Sequence, residues 1–149
     1  MKTLFDTSVS GEILGRINCL QPEGKRLWGK MTVPQMLAHC SIAMEMANGS
    51  KVPPRTVLGL LIGRLIKPSV LGEKPLPRNS PTDKTFIISD TREFTREQQR
   101  LVQLVKAFAE GGEAKCTRHI HAFFGPLTPG EWGILTYKHL DHHLRQFGV

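Results

Sequence analysis

The chain has 149 residues, 40% of them hydrophobic and 22% charged, with a formal net charge of +7. That length gives one domain, 1–149, with a core large enough to stand without disulfide staples, and the composition is that of an ordinary globular protein. It excludes a bilayer-spanning segment: the longest apolar run, "VLGLLIGRLI" from Val57 to Ile66, is too short and carries Arg64 inside it.

The N-terminus lacks the apolar run and small-residue cleavage site of a signal peptide. Cys19, Cys40 and Cys116 are odd in number and show no C-x-x-C spacing, which fits reduced thiols in a cytoplasm. Ile13, Leu14, Ile17 and Leu20 recur at helical spacing and predict a first helix over about Ser8 to Leu20. Thr32 with Gln35 forms a capping-box pair, and Pro34 sits in the first turn. They open a second helix from Val33 to Asn48, stopped by Gly49. After Pro53-Pro54, the run from Thr56 to Ile66 predicts a shorter packed helix ended by Pro68. Prolines then recur at Pro68, Pro75, Pro77 and Pro81, which predicts an irregular crossing loop. "TFIIS" from Thr85 to Ser89 is a weak strand candidate.

Thr95 and Gln98 form another capping-box pair, and Leu101, Leu104, Val105 and Phe108 give the stripe of a helix stopping near Gly111-Gly112. "GPLTPGEW" places Thr128 as N-cap, Pro129 first in the helix and Glu131 as box partner, for a last helix reaching Phe147. Four substantial helices with one long connection predict an all-α bundle. The long connection lets its flanking helices run parallel, so the expected order is up-down-down-up, with the extra short helix across one end.

The basic residues cluster in the crossover: Lys51, Arg55, Arg64, Lys67, Lys74, Arg78 and Lys84 stand against Glu73 and Asp83. Such a patch suits nucleic acid, anionic lipid or an acidic small molecule, or is simply a solvated face. Aromatic residues do not interleave with it before Phe86, so stacking on single strands has little basis, and specific nucleic-acid or membrane binding is not expected.

Three of the six histidines fall in "TYKHLDHHLRQFGV". On a helical wheel His139 and His143 lie inside the apolar stripe of Trp132, Thr136, Leu140 and Phe147, about 40° apart and one turn along the axis. His142 falls at the stripe's edge, while Asp141 and Arg145 are expected to face solvent. An imidazole held in a core needs a partner for each nitrogen, since an unpaired polar group costs about 1–3 kcal/mol. A metal ion or a hydrogen-bonded core network would meet that demand, and both stay open on this pattern. A third ligand is expected from the inner face of another helix. His39 lies in the stripe of Met36, Ala43, Met46 and Ala47, and is the only histidine on any other predicted helix. His119 and His121 sit in the loop before the last helix, where His121 can approach the bundle's end. Cys40 lies off the stripe and reads as core packing before it reads as soft ligand or nucleophile. Met36, Met44 and Met46 read as core filler. A Ser-His-Asp triad finds no serine in an elbow-like turn.

"WGKMTVPQMLAHC", "HAFFGPLTPGEW" and "YKHLDHHLRQF" together resemble the DinB/YfiT-like superfamily, in a bacterial branch, over nearly the whole chain from Thr3. The resemblance implies an up-down-down-up four-helix bundle, often dimeric, hence a homodimer. It implies a divalent metal such as zinc or nickel on one histidine of the second helix and an H-x-x-x-H pair on the last. The matching residues are His39, His139 and His143. Better-studied relatives read H-x-x-H-H-R-G-Q where this chain reads His-Leu-Asp-His-His-Leu-Arg-Gln. Characterised members include transferases and isomerases that use low-molecular-weight thiols. The implied reaction class is thus transferase-like or hydrolase-like, with a metal-bound thiol or water as nucleophile. The competing class is a non-enzymatic binding or stress-associated module in which a metal, if bound, is structural.

Overall fold

A computed structural model describes residues 1–80 and 86–149. Pro81, Asp83, Lys84 and Thr85, which the sequence assigns to the crossing loop, the basic patch and the weak strand, lie outside the described residues. Among those described the chain is all-helical: α1 Thr7–Cys19, α2 Val33–Ala47, α3 Val57–Leu71, α4 Phe94–Lys115 and α5 Pro129–Gln146. No strand forms among these residues; their only pairing is an isolated bridge between His121 and Gly125. No described helix is long and apolar enough to cross a membrane.

Two helices begin as their sequences dictate. Thr32 accepts from the Gln35 amide while the Gln35 side chain accepts from the Thr32 amide, and Thr128 and Glu131 repeat the arrangement in α5. Each box satisfies two otherwise orphaned amides and fixes the phase of the helix it opens. The α4 start differs from the expected Thr95 cap. Glu93 is the N-cap, its carboxylate accepting from the Thr95 and Arg96 amides at 2.9 and 2.6 Å. A charged acceptor at a helix N-terminus outcompetes a neutral hydroxyl because it also meets the helix dipole. Gln98, freed from capping, donates across to the Ile17 carbonyl of α1 at 2.9 Å. Helical hydrogen bonding then carries α4 past the expected stop to Lys115, although Gly112 (φ 59, ψ −165) breaks the regular geometry where the sequence places that stop.

α2 packs chiefly on α4, and both α2 and α1 also pack on α5. Their shared core holds Ile13, Ile17, Met36, Leu37, Met44, Leu101, Val105, Leu140 and Leu144, all buried. A polar seam closes one edge: Arg100 of α4 bridges Glu45 of α2 and the buried Glu97.

α3 departs furthest from its sequence reading. It runs through Pro68 to Leu71 instead of ending there. A proline in a helix interior removes one backbone donor. The chain leaving α3 is held from α5 instead, where the buried Lys138 ammonium donates to the carbonyl of Val70 and to those of Gly72 and Lys74 just beyond the helix. A cation on the last carbonyls also suits the helix dipole. α3 is packed as expected, but through glycine. Gly59 and Gly63 lie against the Phe123–Phe124 backbone so closely that a Cβ at either would run into Phe123. Val57, Leu58, Leu60, Leu61 and Leu65 face outward, while Val70 and Leu71 at its C-terminal end pack on the core.

Candidate metal centre

The phases set by the two capping boxes bring His39 of α2 against His139 and His143 of α5. One ring nitrogen from each of the three lies within 4.8 Å of the other two. Ring centroids are 5.0 Å apart for His39–His139, 4.8 Å for His39–His143 and 4.7 Å for His139–His143. His39 and His143 are buried and His139 is half-buried.

The outward nitrogens decide which face inward with a lone pair. His39 Nδ1 lies 3.0 Å from the Phe86 carbonyl oxygen and donates to it, so its Nε2 carries the lone pair. His143 Nδ1 lies 3.0 Å from Gln146 Oε1. The Gln146 amide is itself oriented, since its Nε2 donates to the Trp28 carbonyl at 2.7 Å. Gln146 therefore presents its oxygen to His143, and His143 also keeps Nε2 as an inward lone pair. Metal-binding histidines are commonly held by such outer partners.

The inward nitrogens have the chemistry of a ligand set. Two imidazole nitrogens on one tetrahedral zinc, at 2.0–2.1 Å each, stand about 3.3 Å apart. His39 Nε2 and His139 Nε2 are 3.1 Å apart, and the widest pair closes by about an ångström and a half of ring movement. Protonation does not compete with coordination near neutral pH. Burial, with the neighbouring imidazoles adding to it, holds His139 well below the usual histidine range. Burial takes His143 down to about 3 and lowers His39 against the opposing Phe86 bond. All three are neutral, as ligands must be.

The other candidates separate cleanly. His142 is half-buried, with its ring 5.0 Å from His143 and edge-on to Trp28 at 5.7 Å. It borders the cluster without joining it. His121 spends Nδ1 accepting the Phe123 and Phe124 amides at 3.0 and 3.1 Å, and its ring lies tilted 5.2 Å from Trp132. It shapes the turn that α3 packs on and is not among the clustered histidines. His119 is exposed. Cys40 is fully buried, its thiol directed at Met36 sulfur and pushed up by burial, so core packing is its role. Asp141 corrects the wheel: it is buried, pairing with Arg16 of α1 at 2.8 Å and with Arg145 at 2.9 Å. The wheel could not show that α1 lies over that edge of α5.

Two kinds of contributor escape the sequence reading. Gln146 lies three residues after His143, where helix geometry makes neighbours, so its spacing is a usable signal. Phe86 and Trp28 act through backbone carbonyls, which no residue pattern marks.

A cleft of about 720 Å³ opens beside His142, with Trp28, Arg78, Tyr137, Lys138 and Arg145 in its walls. Arg78 from the crossover stacks its guanidinium on Trp28 at 4.3 Å, an arrangement that favours a cation over an indole face. Lys138 is engaged by the carbonyls of Val70, Gly72 and Lys74, and Arg145 by Asp141.

The family model described as "Protein of unknown function (DUF1569)" matches residues 5–148. No curated protein and no solved structure matches.

Proposed function

The chain belongs to the DUF1569 family of proteins of unknown function, and we propose that it is a metal-dependent enzyme using His39, His139 and His143 as its ligand set. The reading takes the ion to be zinc or nickel and the fold to be a DinB/YfiT-like up-down-down-up bundle, on the strength of the quoted motifs and the long crossover. One observation carries it: imidazoles from two helices converge while the outer nitrogens of His39 and His143 are already committed to Phe86 and Gln146.

His39, His139 and His143 would hold the divalent ion, which would supply a lowered pKa to a thiol or water nucleophile. The chain's own residues do the rest. His39 and His143 are held in the ligand tautomer by their outer partners. No fourth histidine, cysteine or carboxylate joins the three among the described residues, which leaves room for an exogenous ligand, as catalytic sites require. Arg78 and Trp28 line the cleft beside His142 and suit an acidic group of a cosubstrate. The reaction class is transferase-like or hydrolase-like, and a low-molecular-weight thiol is the first substrate to try.

The test loads chelator-stripped protein with zinc or nickel and screens thiol transfer to electrophiles and ester hydrolysis. The reading expects activity that chelator abolishes and metal restores, and that Arg78→Ala weakens through KM. Full metal occupancy without any such turnover favours the structural-metal module instead, and failure to retain either ion removes the reading.

A further inference from the structure

α3 is built the wrong way round for a helix whose job is to fill the core of its own domain. Its small residues, Gly59 and Gly63, are buried against the Phe123–Phe124 turn. Val57, Leu58, Leu60, Leu61 and Leu65 are exposed by 76, 53, 62, 76 and 81%. Val52 and Ile120, in the segments joined by the Thr56–Ala122 hydrogen bond, are more than half exposed as well. Scattered exposed leucines need no explanation, but a contiguous face of this size marks an interaction surface.

We infer that this face of α3 is the docking surface for a second copy of the chain. Area is the first argument. Burying a Val, Leu or Ile side chain removes roughly 60–120 Å² of apolar surface at the usual transfer coefficient. Seven such side chains, about two-thirds exposed, offer on the order of 300–550 Å² per chain. A standard interface takes about 800 Å² per partner, of which about 450–520 Å² is apolar. Self-complementarity is the second: a two-fold contact sets a patch against itself, which an aliphatic face tolerates and a charged one does not.

Charge separates this occupant from a lipid surface. From Met46 to Gly72 there is no acidic residue, and Lys51, Arg55, Arg64 and Lys67 are present, which superficially suits anionic headgroups. Two of those cations are turned inward. Lys67 pairs with Glu131 at 2.8 Å and donates to the Pro126 carbonyl. Arg55 donates to the Ala122 and Gly59 carbonyls. An interfacial membrane helix keeps its cations on an outward rim, whereas here Arg64 alone interrupts the leucines, and its long stem can reach the edge of a protein interface.

The inference does not depend on the metal. Sedimentation velocity of the full chain from about 1 to about 100 μM reads it, alongside Leu61→Glu and Leu65→Glu with circular dichroism as a folding control. The expected result is a wild-type dimer, strengthened by salt as the cations are screened. Either charge should raise its dissociation constant by more than about 100-fold with helix content intact. A variant that loses helix content is replaced by Leu61→Ser, for which the expectation is the same in direction. A wild-type monomer throughout that range, or a dimer indifferent to every folded variant, overturns the proposal. So does a monomer that sediments with phosphatidylserine vesicles at low salt only, which identifies a lipid surface instead.

Discussion

At His143 the nitrogen that faces away from the cluster matters as much as the one that faces in. Its Nδ1 meets Gln146 Oε1, and Gln146 Nε2 meets the Trp28 carbonyl, so one amide links a backbone position in the loop before α2 to the tautomer of His143. Replacing Gln146 with Leu keeps the volume and removes the acceptor. It should weaken metal affinity by about 10–100-fold while leaving one metal per chain at saturation. Competition against a chromophoric chelator measures this, and an unchanged affinity would show that His143 needs no outer partner. At this scale the sequence is informative where helix phase alone decides position. His39, His139 and His143 are legible in it because two capping boxes fix where α2 and α5 begin. Phe86 and Trp28 stay hidden because a backbone carbonyl looks the same in every residue, and Asp141 is misplaced because a wheel drawn for α5 contains nothing of Arg16.

Among the elements, α3 shows how a local pattern can be right about conformation and silent about orientation. Its apolar run predicts a packed helix, and it is packed, but sequence apolarity does not say whether leucines or glycines face the neighbour. The predicted end at Pro68 fails for a related reason: Lys138, some 70 positions on, serves the carbonyls beyond it. Lys138→Met should cost about 1.5–3 kcal/mol, because its charged hydrogen bonds to three carbonyls are lost. Denaturant unfolding gives that number, and a loss under about 0.5 kcal/mol, typical of a surface site, would contradict the role. Gly63→Ala sets two effects against each other. Alanine gains up to about 1 kcal/mol of helix propensity, but its Cβ meets the Phe123 backbone, and overpacking costs about 1–3 kcal/mol. Backbone cannot step aside as a side chain can, so net destabilisation is expected, and a stabilised Gly63→Ala would mean that α3 is not in close contact with the Phe123 backbone.

For the whole molecule, the buried imidazoles link folding to acidity. His121 is held down to about 4 by burial and by Arg55, and His143 to about 3. Unfolded, each titrates near 6.5. Below about pH 6.5 the unfolded chain therefore binds protons that the native one does not, so stability falls as pH falls. The decline continues until the native pKa of each group is reached. The chelator-treated protein should thus be steady above about pH 7 and lose melting temperature progressively between about 6.5 and 4. A flat profile over that window would show that these rings protonate as easily in the fold as outside it.

On the proposed function, His143 and not its neighbour His142 completes the ligand set with His39 and His139. This assignment is tested by metal content per chain and melting temperature, with and without chelator, for the wild type, His142→Ala and His143→Ala. Metal that binds only the native state at about 100 times its dissociation constant adds about 2.7 kcal/mol, which is roughly 5–10 °C for a domain of this size. Wild type and His142→Ala should hold one metal and lose about that much on chelation, while His143→Ala should hold none and not respond to chelator. Metal retained by His143→Ala and lost by His142→Ala would contradict it, and would place the site on the i, i+3 pair His139 and His142.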